Sequence, residues 1–375
     1  MRVLLNTKPL VLSNRTGVGY YVFNLYRELL KSGIEVIPTL DTGSQRFLNS
    51  LSRLSSRLRI LFGKWYPPIV KNVGDTLIGH LFKRETASSY DLYHETSLDL
   101  LPEMNITKVC NLYDLSFVSC PDYLTEDFAH YAKNNVIKNV QMVKRIMVNS
   151  QFIKDEATDF LKIPDEKIDI IPLAPSSFYR QLGKGHPKPE EVTRFTEKDY
   201  LLYVGTVEPR KNLKTLIRAF KYLRERYDLS LIIAGALGWL YDDIISYPEE
   251  LGIKGDVIFT RYVDEKLLLS LYNHASIFIY PSLYEGFGLP PLEAMACGVP
   301  IIISDIQPLR ELTGDAALAF DPKEAEGLMD LIDKLISSES LRSEMIQRGL
   351  RKVREYSWEN VAALTIQTYR RAIET

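Results

Sequence analysis

The sequence is poor in cysteine: Cys110, Cys120 and Cys297 are the three thiols in 375 residues. Three widely spaced thiols favour neither a disulfide framework nor a zinc site, and they suit a reducing compartment. No run of about 18 apolar residues occurs, so we expect no membrane-spanning segment. The N-terminal string MRVLLNTKPLVL is interrupted by polar residues and a proline, which argues against a signal peptide. We therefore expect a cytoplasmic protein.

A strong excess of charge of either sign is also missing. Lys and Arg number 46, Asp and Glu number 48, and the formal net charge is −2. Dedicated nucleic-acid-binding proteins are usually more basic, so we expect no nucleic-acid partner. The hydrophobic share of 46% and charged share of 25% are ordinary for a globular protein, and the length suits about two domains.

Short apolar runs alternate with helical patterns along most of the chain. The predicted strands cover residues 1–5, 34–38, 91–94, 108–113, 145–149, 200–206, 229–235, 257–263, 276–282 and 299–304. The segment NRTGVGYYVFNLYRELLKSG predicts a glycine-rich loop that opens a helix ending at Gly33, and further helices are predicted at 151–160, 211–226, 264–274, 291–297 and from about 324 to 375. Runs rich in Val, Ile and Leu are typical of parallel strands buried on both faces. The pattern predicts an α/β protein with two Rossmann-like domains and a cleft between them.

A stretch rich in proline, glycine, serine and charge separates the two halves, at residues 172–198. Such composition is typical of an interdomain linker. We predict an N-terminal domain at 1–175, a linker at 176–198 and a C-terminal domain at 199–355. The last residues, 356–375, are expected to form a helix that packs back on the N-terminal domain.

The strongest chemical signal is YPSLYEGFGLPPLEAMACG at 280–298. The string predicts a strand end, a loop carrying Glu285 between glycines, and a helix that starts at two prolines and carries Glu293. In an open α/β sheet the carboxyl edge faces the ligand crevice. A carboxylate can accept two hydroxyl hydrogen bonds at once, which suits a sugar diol or a ribose. The alternative is that Glu293 complements the helix dipole and Glu285 is solvated.

A second signal is GTVEPRKNLKTLIRAF at 205–220. A strand is predicted to end at Gly205, and Arg210 and Lys211 fall where the next helix begins. Two cations beside free N–H groups at a helix N-terminus suit a diphosphate. The alternative is a solvated helix start, although cations are unfavourable there unless an anion is bound. We expect Lys211 and Glu285 to be solvent-accessible in an open cleft.

Together with GDAALAFDP at 314–322 and TGVGYYVFNL at 16–25, these motifs resemble those of the retaining family-4 glycosyltransferases with the GT-B fold. The resemblance covers nearly the whole chain except roughly 40–88. It implies transfer of a hexose from a nucleoside-diphosphate sugar to a glycan or lipid-linked glycan, with retention of anomeric configuration. The motifs are similar to those of mannosyltransferases of bacterial surface-polysaccharide assembly, which makes GDP-mannose the first candidate donor and a UDP-sugar the second.

The resemblance also implies roles for individual residues. Arg210 and Lys211 would hold the diphosphate, Glu285 would bind donor-sugar hydroxyls, and Glu293 would bind the ribose. Arg261 replaces a family glycine beside the segment that approaches the base. The other residues expected at the donor are Gly17, Val18, Gly19, Gly205, Tyr262, Val263, Gly286, Phe287, Gly288 and Leu289. For the first glycines the alternative is a plain tight turn.

The chain departs from the family pattern at a histidine of the N-terminal domain. The string NLYDLSF places Tyr113 and Asp114 where many relatives carry a His-Asp pair. The string DLYHET carries His94, with Thr96 where a further histidine of the family would fall. His94 is therefore either a sugar-binding residue in a shifted register or a packing residue at a strand end. We expect Asp114 to be catalytic, the alternative being a cap on the following turn.

No Asp-x-Asp pair occurs in the chain, so we expect Arg210 and Lys211 to neutralise the diphosphate without a metal ion, and no cofactor beyond the sugar-nucleotide co-substrate. Two other functions stay open. An epimerase of the same architecture would turn over the donor without an acceptor. A non-catalytic binding module would be expected to have lost Glu285, Arg210 or Lys211.

One basic stretch interrupts the even charge distribution, at residues 44–84. It holds eight Lys and Arg between Arg46 and Arg84, against Asp75 as its one acid. Apolar side chains recur at helical spacing at positions 47, 51, 54, 58 and 61, followed by Trp65 and Tyr66. A basic amphipathic helix with terminal aromatics is typical of the membrane interface, so residues 46–84 are predicted to dock on an anionic inner-membrane face. The alternative is an ordinary domain helix whose leucines face the core.

Overall fold

The structure is a computed structural model that describes residues 1–10, 17–39, 89–183 and 186–374. The basic stretch at 44–84 lies outside these described residues, so its membrane docking stays a prediction. In the described ranges, no helix has the length and apolar character needed to cross a membrane.

Twelve strands and thirteen α-helices are found in the described ranges. The strands are β1 (Arg2–Asn6), β2 (Glu35–Thr39), β3 (Leu92–Glu95), β4 (Thr107–Leu112), β5 (Arg145–Val148), β6 (Ile168–Ile170), β7 (Asp199–Val204), β8 (Leu229–Ala234), β9 (Val257–Arg261), β10 (Ile277–Tyr280), β11 (Ile301–Ser304) and β12 (Ala317–Phe320). The helices are α1 (Gly17–Lys31), α2 (Ser116–Ser119), α3 (Glu126–Met142), α4 (Gln151–Leu161), α5 (Glu190–Thr193), α6 (Leu213–Leu223), α7 (Asp242–Glu250), α8 (Glu265–His274), α9 (Leu289–Ala296), α10 (Gln307–Thr313), α11 (Ala325–Ser337), α12 (Glu339–Lys352) and α13 (Trp358–Glu374).

The chain divides into two compact units. The first unit comprises Met1–Leu115, His130–Leu173 and Trp358–Thr375. The second unit comprises Ser116–Ala129 and Ala174–Ser357. Each unit is built on one six-stranded parallel sheet, which confirms the predicted α/β class. No composition shift in the sequence indicates that residues 116–129 group with the second unit.

The sheet of the first unit has the strand order β2-β1-β3-β4-β5-β6. Val3 of β1 lies opposite Leu92 of β3, and both side chains are fully buried. Helix α13 packs on α1 and on strands β4 and β5. The strands therefore read as near-continuous apolar runs because helices cover them.

The sheet of the second unit has the order β12-β11-β10-β7-β8-β9, with Ile277 of β10 opposite Leu201 of β7. The chain runs from β7 to one edge, then returns to β10 and runs to the other edge. The loops after β7 and β10 thus diverge at the switch point where open α/β sheets bind ligands. After β7 along the chain, helix α6 buries Leu213, Leu216 and Phe220 on one face. This spacing of apolar residues is that of an amphipathic helix.

Candidate functional site

Close backbone packing shapes the loops that follow β7 and β8. Gly205 has φ of +153°, and a Cβ atom built there would lie 2.5 Å from the Tyr203 hydroxyl. Gly235 has φ of +154°, and its Cβ would lie 1.9 Å from the Gly205 carbonyl oxygen. Only glycine avoids these collisions, so Gly205 has a packing reason that is independent of any ligand.

The basic pair lies in a turn that precedes a helix. Pro209–Lys211 form a single 3-10 turn, and Asn212 follows with a left-handed φ of 56°. Helix α6 begins only at Leu213. The predicted helix start at residue 211 is therefore wrong, and the two cations do not occupy the first turn of α6. The left-handed residue redirects the chain between the turn and the helix.

A buried ion cluster joins this turn to the loop after β10. The Lys211 ammonium lies 2.5 Å from Oε1 of Glu285, and Nη1 of Arg210 lies 3.3 Å from Oε2 of the same carboxylate. Nη2 of Arg210 lies 2.8 Å from Oε1 of Glu208. The side chains of Lys211 and Glu285 are 7% and 8% exposed. The expectation that these two groups are solvent-accessible is therefore wrong. They are buried together, and the charge of each neutralises that of the other.

The cluster shifts the protonation equilibria of its members. Burial alone would raise the pKa of Glu285, but the charges of Lys211 and Arg210 outweigh it and lower that pKa to about 2. Burial and the neighbouring Arg210 charge lower the pKa of Lys211, and the two nearby carboxylates oppose this shift. Glu285 is thus ionised at neutral pH and can act only as a hydrogen-bond acceptor.

Aromatic rings form the floor beneath the Lys211 ammonium. Its Nζ lies 5.5 Å from the centroid of the Tyr280 ring and 3.4 Å from the Tyr280 hydroxyl. The Tyr280 ring stacks on Tyr203 and on Phe278, with centroids 6.0 Å and 6.1 Å apart. These rings belong to the neighbouring strands β7 and β10, so the sheet holds them in place. A cation over an aromatic face gains electrostatic stabilisation when water is excluded.

The loop from Glu285 to helix α9 matches its predicted form. Gly288 has φ of +110°, and a Cβ there would lie 2.8 Å from a methyl group of Leu309. Gly286 and Phe287 are buried, and the Phe287 ring meets Tyr356 edge to face. Helix α9 begins at Leu289, with proline in its first turn as predicted.

Glu293 lies within α9 and is partly exposed. The hydroxyl of Tyr272 on α8 donates a hydrogen bond to its Oε2 at 2.9 Å. Burial raises the pKa of Glu293 to about 7, the Tyr272 hydrogen bond opposes the shift and the charge of Glu265 adds to it. The two glutamates predicted at the site thus differ in their pKa, although they are only eight positions apart in the sequence.

Tyr262 and Val263 follow β9, two strands from β7 at the same sheet edge. The Tyr262 side chain is exposed and Val263 is partly buried. Arg261, at the position of the family glycine, has φ of +63°. Arg261 thus keeps the left-handed conformation that a glycine adopts freely. For a residue with a Cβ this conformation has an energetic cost of about 1–2 kcal/mol.

His94 is enclosed in the first unit. Its side chain is 0% exposed, Nδ1 lies 2.7 Å from the Tyr369 hydroxyl, and Nε2 lies 2.7 Å from Oδ1 of Asn111. Burial lowers its pKa to about 4, opposed by the Asn111 hydrogen bond. The geometry contradicts a sugar-binding His94 because both ring nitrogens already have protein partners, and it supports the packing alternative.

The other predicted residues of the first unit lie in different settings. Asp114 is partly buried just after β4. Gly17, Val18 and Gly19 are the first residues of α1 and so belong to a helix, where a loop was predicted. Among the described residues, no atom lies within 4 Å of a Cβ built on Gly17. The structure gathers Gly205, Arg210, Lys211, Glu285 and the 286–289 loop in the second unit.

Two parallel sheets of this kind, the second with a buried carboxylate and two cations at its switch point, define a GT-B glycosyltransferase. Residues 187–352 match the family model described as glycosyl transferases group 1. The chain is 31% identical to O-antigen chain mannosyltransferase B of Escherichia coli, over 99% of this chain and 100% of that protein. The chain belongs to the group 1 glycosyltransferases.

Other relatives agree with this assignment. The chain is 28% identical to the O-antigen chain mannosyltransferase RfbU of Salmonella typhimurium, over 64% of each chain. Among solved structures, sucrose-phosphate synthase from Thermosynechococcus elongatus aligns over 99% of this chain and 98% of its own, at 18% identity and a TM-score of 0.70. Anabaena HepE in complex with UDP-glucose aligns over both whole chains, at 14% identity and a TM-score of 0.68. At such identities these structures show the fold alone.

Proposed function

We propose that this glycosyltransferase moves a hexose from a nucleoside-diphosphate sugar to a glycan or lipid-linked glycan, with retention of configuration and without a metal ion. GDP-mannose is the first candidate donor and a UDP-sugar is the second. The observation that carries the proposal is the buried Lys211–Glu285 pair at the switch point of the second sheet. It sets a cation for phosphates beside a carboxylate for sugar hydroxyls.

The chemistry follows from the charges of these groups. Departure of a nucleoside diphosphate builds negative charge on the leaving phosphate, and the fixed charge of Lys211 stabilises it. Losing one such preorganised contact raises a reaction barrier by about 3–4 kcal/mol. Glu285 is ionised and accepts hydrogen bonds from donor-sugar hydroxyls.

The remaining site residues orient the nucleotide in this proposal. Glu293 accepts hydrogen bonds from the ribose, and the amides of the 286–289 loop approach the diphosphate. Tyr262 and Val263 lie beside the base. For the transfer itself we propose same-face attack, in which the leaving phosphate takes the acceptor's proton. Asp114 in the first unit is proposed to act on the acceptor side.

The names of two relatives favour mannose. Both the Escherichia coli protein and the Salmonella protein are called O-antigen chain mannosyltransferases, and the first aligns with the whole of this chain. HepE was solved with UDP-glucose, which keeps a UDP-sugar as the second candidate. The proposed acceptor is accordingly a sugar unit of a growing surface polysaccharide.

A nucleotide panel tests the donor proposal. The unfolding temperature of the whole protein is measured with GDP, UDP and ADP, each without added metal. A ligand at about 100 times its dissociation constant adds about 2.7 kcal/mol of stability. Because GDP-mannose is the first candidate donor, GDP is expected to give the largest increase in unfolding temperature. A larger shift with UDP would reverse the order of donors. No shift with any nucleotide would contradict a sugar-nucleotide site.

Residues 46–84 are proposed to bring the protein to an anionic membrane surface, where a lipid-linked acceptor would be presented. Each cation near such a surface contributes about 1 kcal/mol. Binding to liposomes of anionic and zwitterionic lipids is measured at low and high salt. We expect binding to anionic vesicles that weakens with salt and in the triple variant R53E/R57E/K64E. A protein that ignores anionic vesicles at low salt would favour a soluble acceptor.

A further inference from the structure

The two neighbouring cations of the cluster make different contacts. Nη1 of Arg210 donates to the Tyr284 carbonyl oxygen at 2.9 Å and to Oε2 of Glu285 at 3.3 Å. Nη2 of Arg210 donates to Oε1 of Glu208 at 2.8 Å. Both ends of this guanidinium fork are thus occupied by protein acceptors. Lys211 instead holds a compact ammonium against one carboxylate oxygen and the Tyr280 ring.

A main-chain hydrogen bond of Arg210 also connects the two loops. The Leu283 amide donates to the Arg210 carbonyl oxygen at 2.9 Å. Together with the side-chain bonds, this ties the turn after β7 to residues 283–285 after β10. A planar guanidinium has donors in a rigid fork, so it is better suited than an ammonium to bridging several fixed acceptors.

The charge around Arg210 also differs from that around Lys211. The Glu208 side chain is 3% exposed and the Arg210 side chain is 12% exposed. A guanidinium placed between two carboxylates has its charge largely offset inside the protein. Arg210 contacts two buried carboxylates whereas the Lys211 ammonium contacts one, so a phosphate that took Arg210 would disturb more buried charge, which is strongly unfavourable when left unpaired.

We propose that Arg210 is a positioning residue that fixes Glu285, that Glu208 anchors Arg210, and that Lys211 is the cation that contacts the phosphates. This division of roles rests on the proposed function. It assigns to Glu208 a part in the reaction that its place in a turn would not indicate. Loss of Arg210 should then impair the use of the sugar while leaving the binding of the nucleotide largely unchanged.

The test compares binding of the sugar-free nucleotide with transfer. Dissociation constants for GDP and UDP are measured by calorimetry, and kcat/KM for the donor is measured with GDP-mannose and UDP-glucose. K211M is expected to weaken nucleoside-diphosphate binding by more than about 30-fold, as loss of a charged contact does. R210M is expected to leave that affinity within about threefold and to lower kcat/KM by more than about 100-fold, as misplacement of a site group can.

R210K keeps the charge but loses the fork. It is expected to lower kcat/KM by at least about tenfold, because an Arg–Lys exchange at a multidentate site is not conservative. In E208Q the amide oxygen can still accept from Arg210, whereas in E208A no acceptor remains. E208A is expected to lower kcat/KM several-fold more than E208Q, with nucleotide affinity unchanged in both. Near-ultraviolet circular dichroism checks that each variant is folded.

R226M is the matched control, since Arg226 forms a surface pair with Asp333 in the same unit. It should leave binding and kcat/KM unchanged. Equal loss of nucleotide affinity in R210M and K211M would overturn the inference while leaving the proposed function intact. So would a fully active R210K. A wild-type protein that binds none of GDP, UDP and ADP would overturn the proposed function and this inference with it.

Discussion

The carboxyl ends of β3 and β10 place a buried glutamate in each unit, and the two carboxylates behave in opposite ways. Glu95 accepts hydrogen bonds from Asn6, Tyr93 and Ser97, all neutral groups. Burial raises the pKa of Glu95, and these bonds offset the shift only in part. Glu285 faces two cations, and its pKa falls to about 2. The difference comes from the charge of the partners, since both side chains are buried.

This contrast distinguishes a network of neutral partners from one of charged partners. At the end of β3 the donors around the carboxylate are neutral, and His94 likewise meets the neutral side chains of Asn111 and Tyr369. At the end of β10 charged groups are kept buried, although burying an ion pair gives little net stability compared with apolar packing. The buried charge at that edge is therefore consistent with the proposed charged ligand.

The largest expected effect comes from breaking the pair at β10. K211M and E285Q should each lower the free energy of unfolding by about 3–5 kcal/mol, because either leaves the buried cluster with an unbalanced charge. The double variant K211M/E285Q should recover part of this loss, while transfer activity stays abolished in all three. Denaturant titration measures the stabilities.

A matched control uses a pair of the same residue types at the surface. Lys254 and Glu249 are 72% and 68% exposed, so K254M should change stability by at most about 1 kcal/mol. Losses in the double variant that equal the sum of the two single losses would show that Lys211 and Glu285 do not act as a pair.

A smaller effect is expected at the end of β3. H94L should cost about 2–3 kcal/mol of stability, because Asn111 and Tyr369 lose their partner inside the protein. Turnover of the folded variant should change less than about threefold. If His94 bound the sugar, its replacement would instead lower turnover by about 100-fold or more. Transfer assays below the unfolding temperature measure this. A large specific loss of turnover would restore the catalytic reading of His94.

His94 also predicts a pH dependence of stability. Its pKa is lowered to about 4 in the folded protein, so protonation favours the unfolded state, where the pKa is about 6.5. The contribution is present above pH 6.5 and is lost as the pH falls toward 4, on the order of 3 kcal/mol in total. Denaturant titrations at pH 7 and pH 5 should show a smaller decrease in H94L than in the wild-type protein.

The smallest effect is expected at Glu293, whose pKa burial raises to about 7. Below about pH 7 the carboxyl gains a proton and loses acceptor capacity for the ribose that it is proposed to bind. Donor kcat/KM should therefore fall several-fold between pH 8 and pH 6, and E293Q should flatten that part of the profile. A sugar nucleotide is the probe because its esterified diphosphate does not titrate in this range. An unchanged slope in E293Q would exclude Glu293 as its source.

The sequence predicted the sheets better than the contacts at their edges. Strands β10 and β11 were found because each is a run of four buried residues, all apolar except Ser304. Strands β6 and β12 were missed: β6 has three residues, and β12 carries small alanines. Short runs of that kind give little periodicity.

The site residues were found by motif, but their partners were not. Lys211 and Glu285 are 74 positions apart, so no local pattern could show that they are paired and buried. His94 meets Tyr369 from a position 275 residues away. Glu208 lies beside the basic pair, but an acidic residue at that position has no periodic signature that would indicate a buried partner. Pairwise burial is a tertiary property that a single sequence does not encode locally.

The first unit is also distinctive in how its parts are spread along the chain. Its strands end at Ile170, yet helix α13, which packs on β4 and β5, comes only after the whole second unit. During synthesis the second unit can complete its sheet while the first still lacks this cover. The first unit is therefore begun first and finished last, and a truncation after Ser357 would expose apolar surface on a part of the protein made nearly two hundred residues earlier.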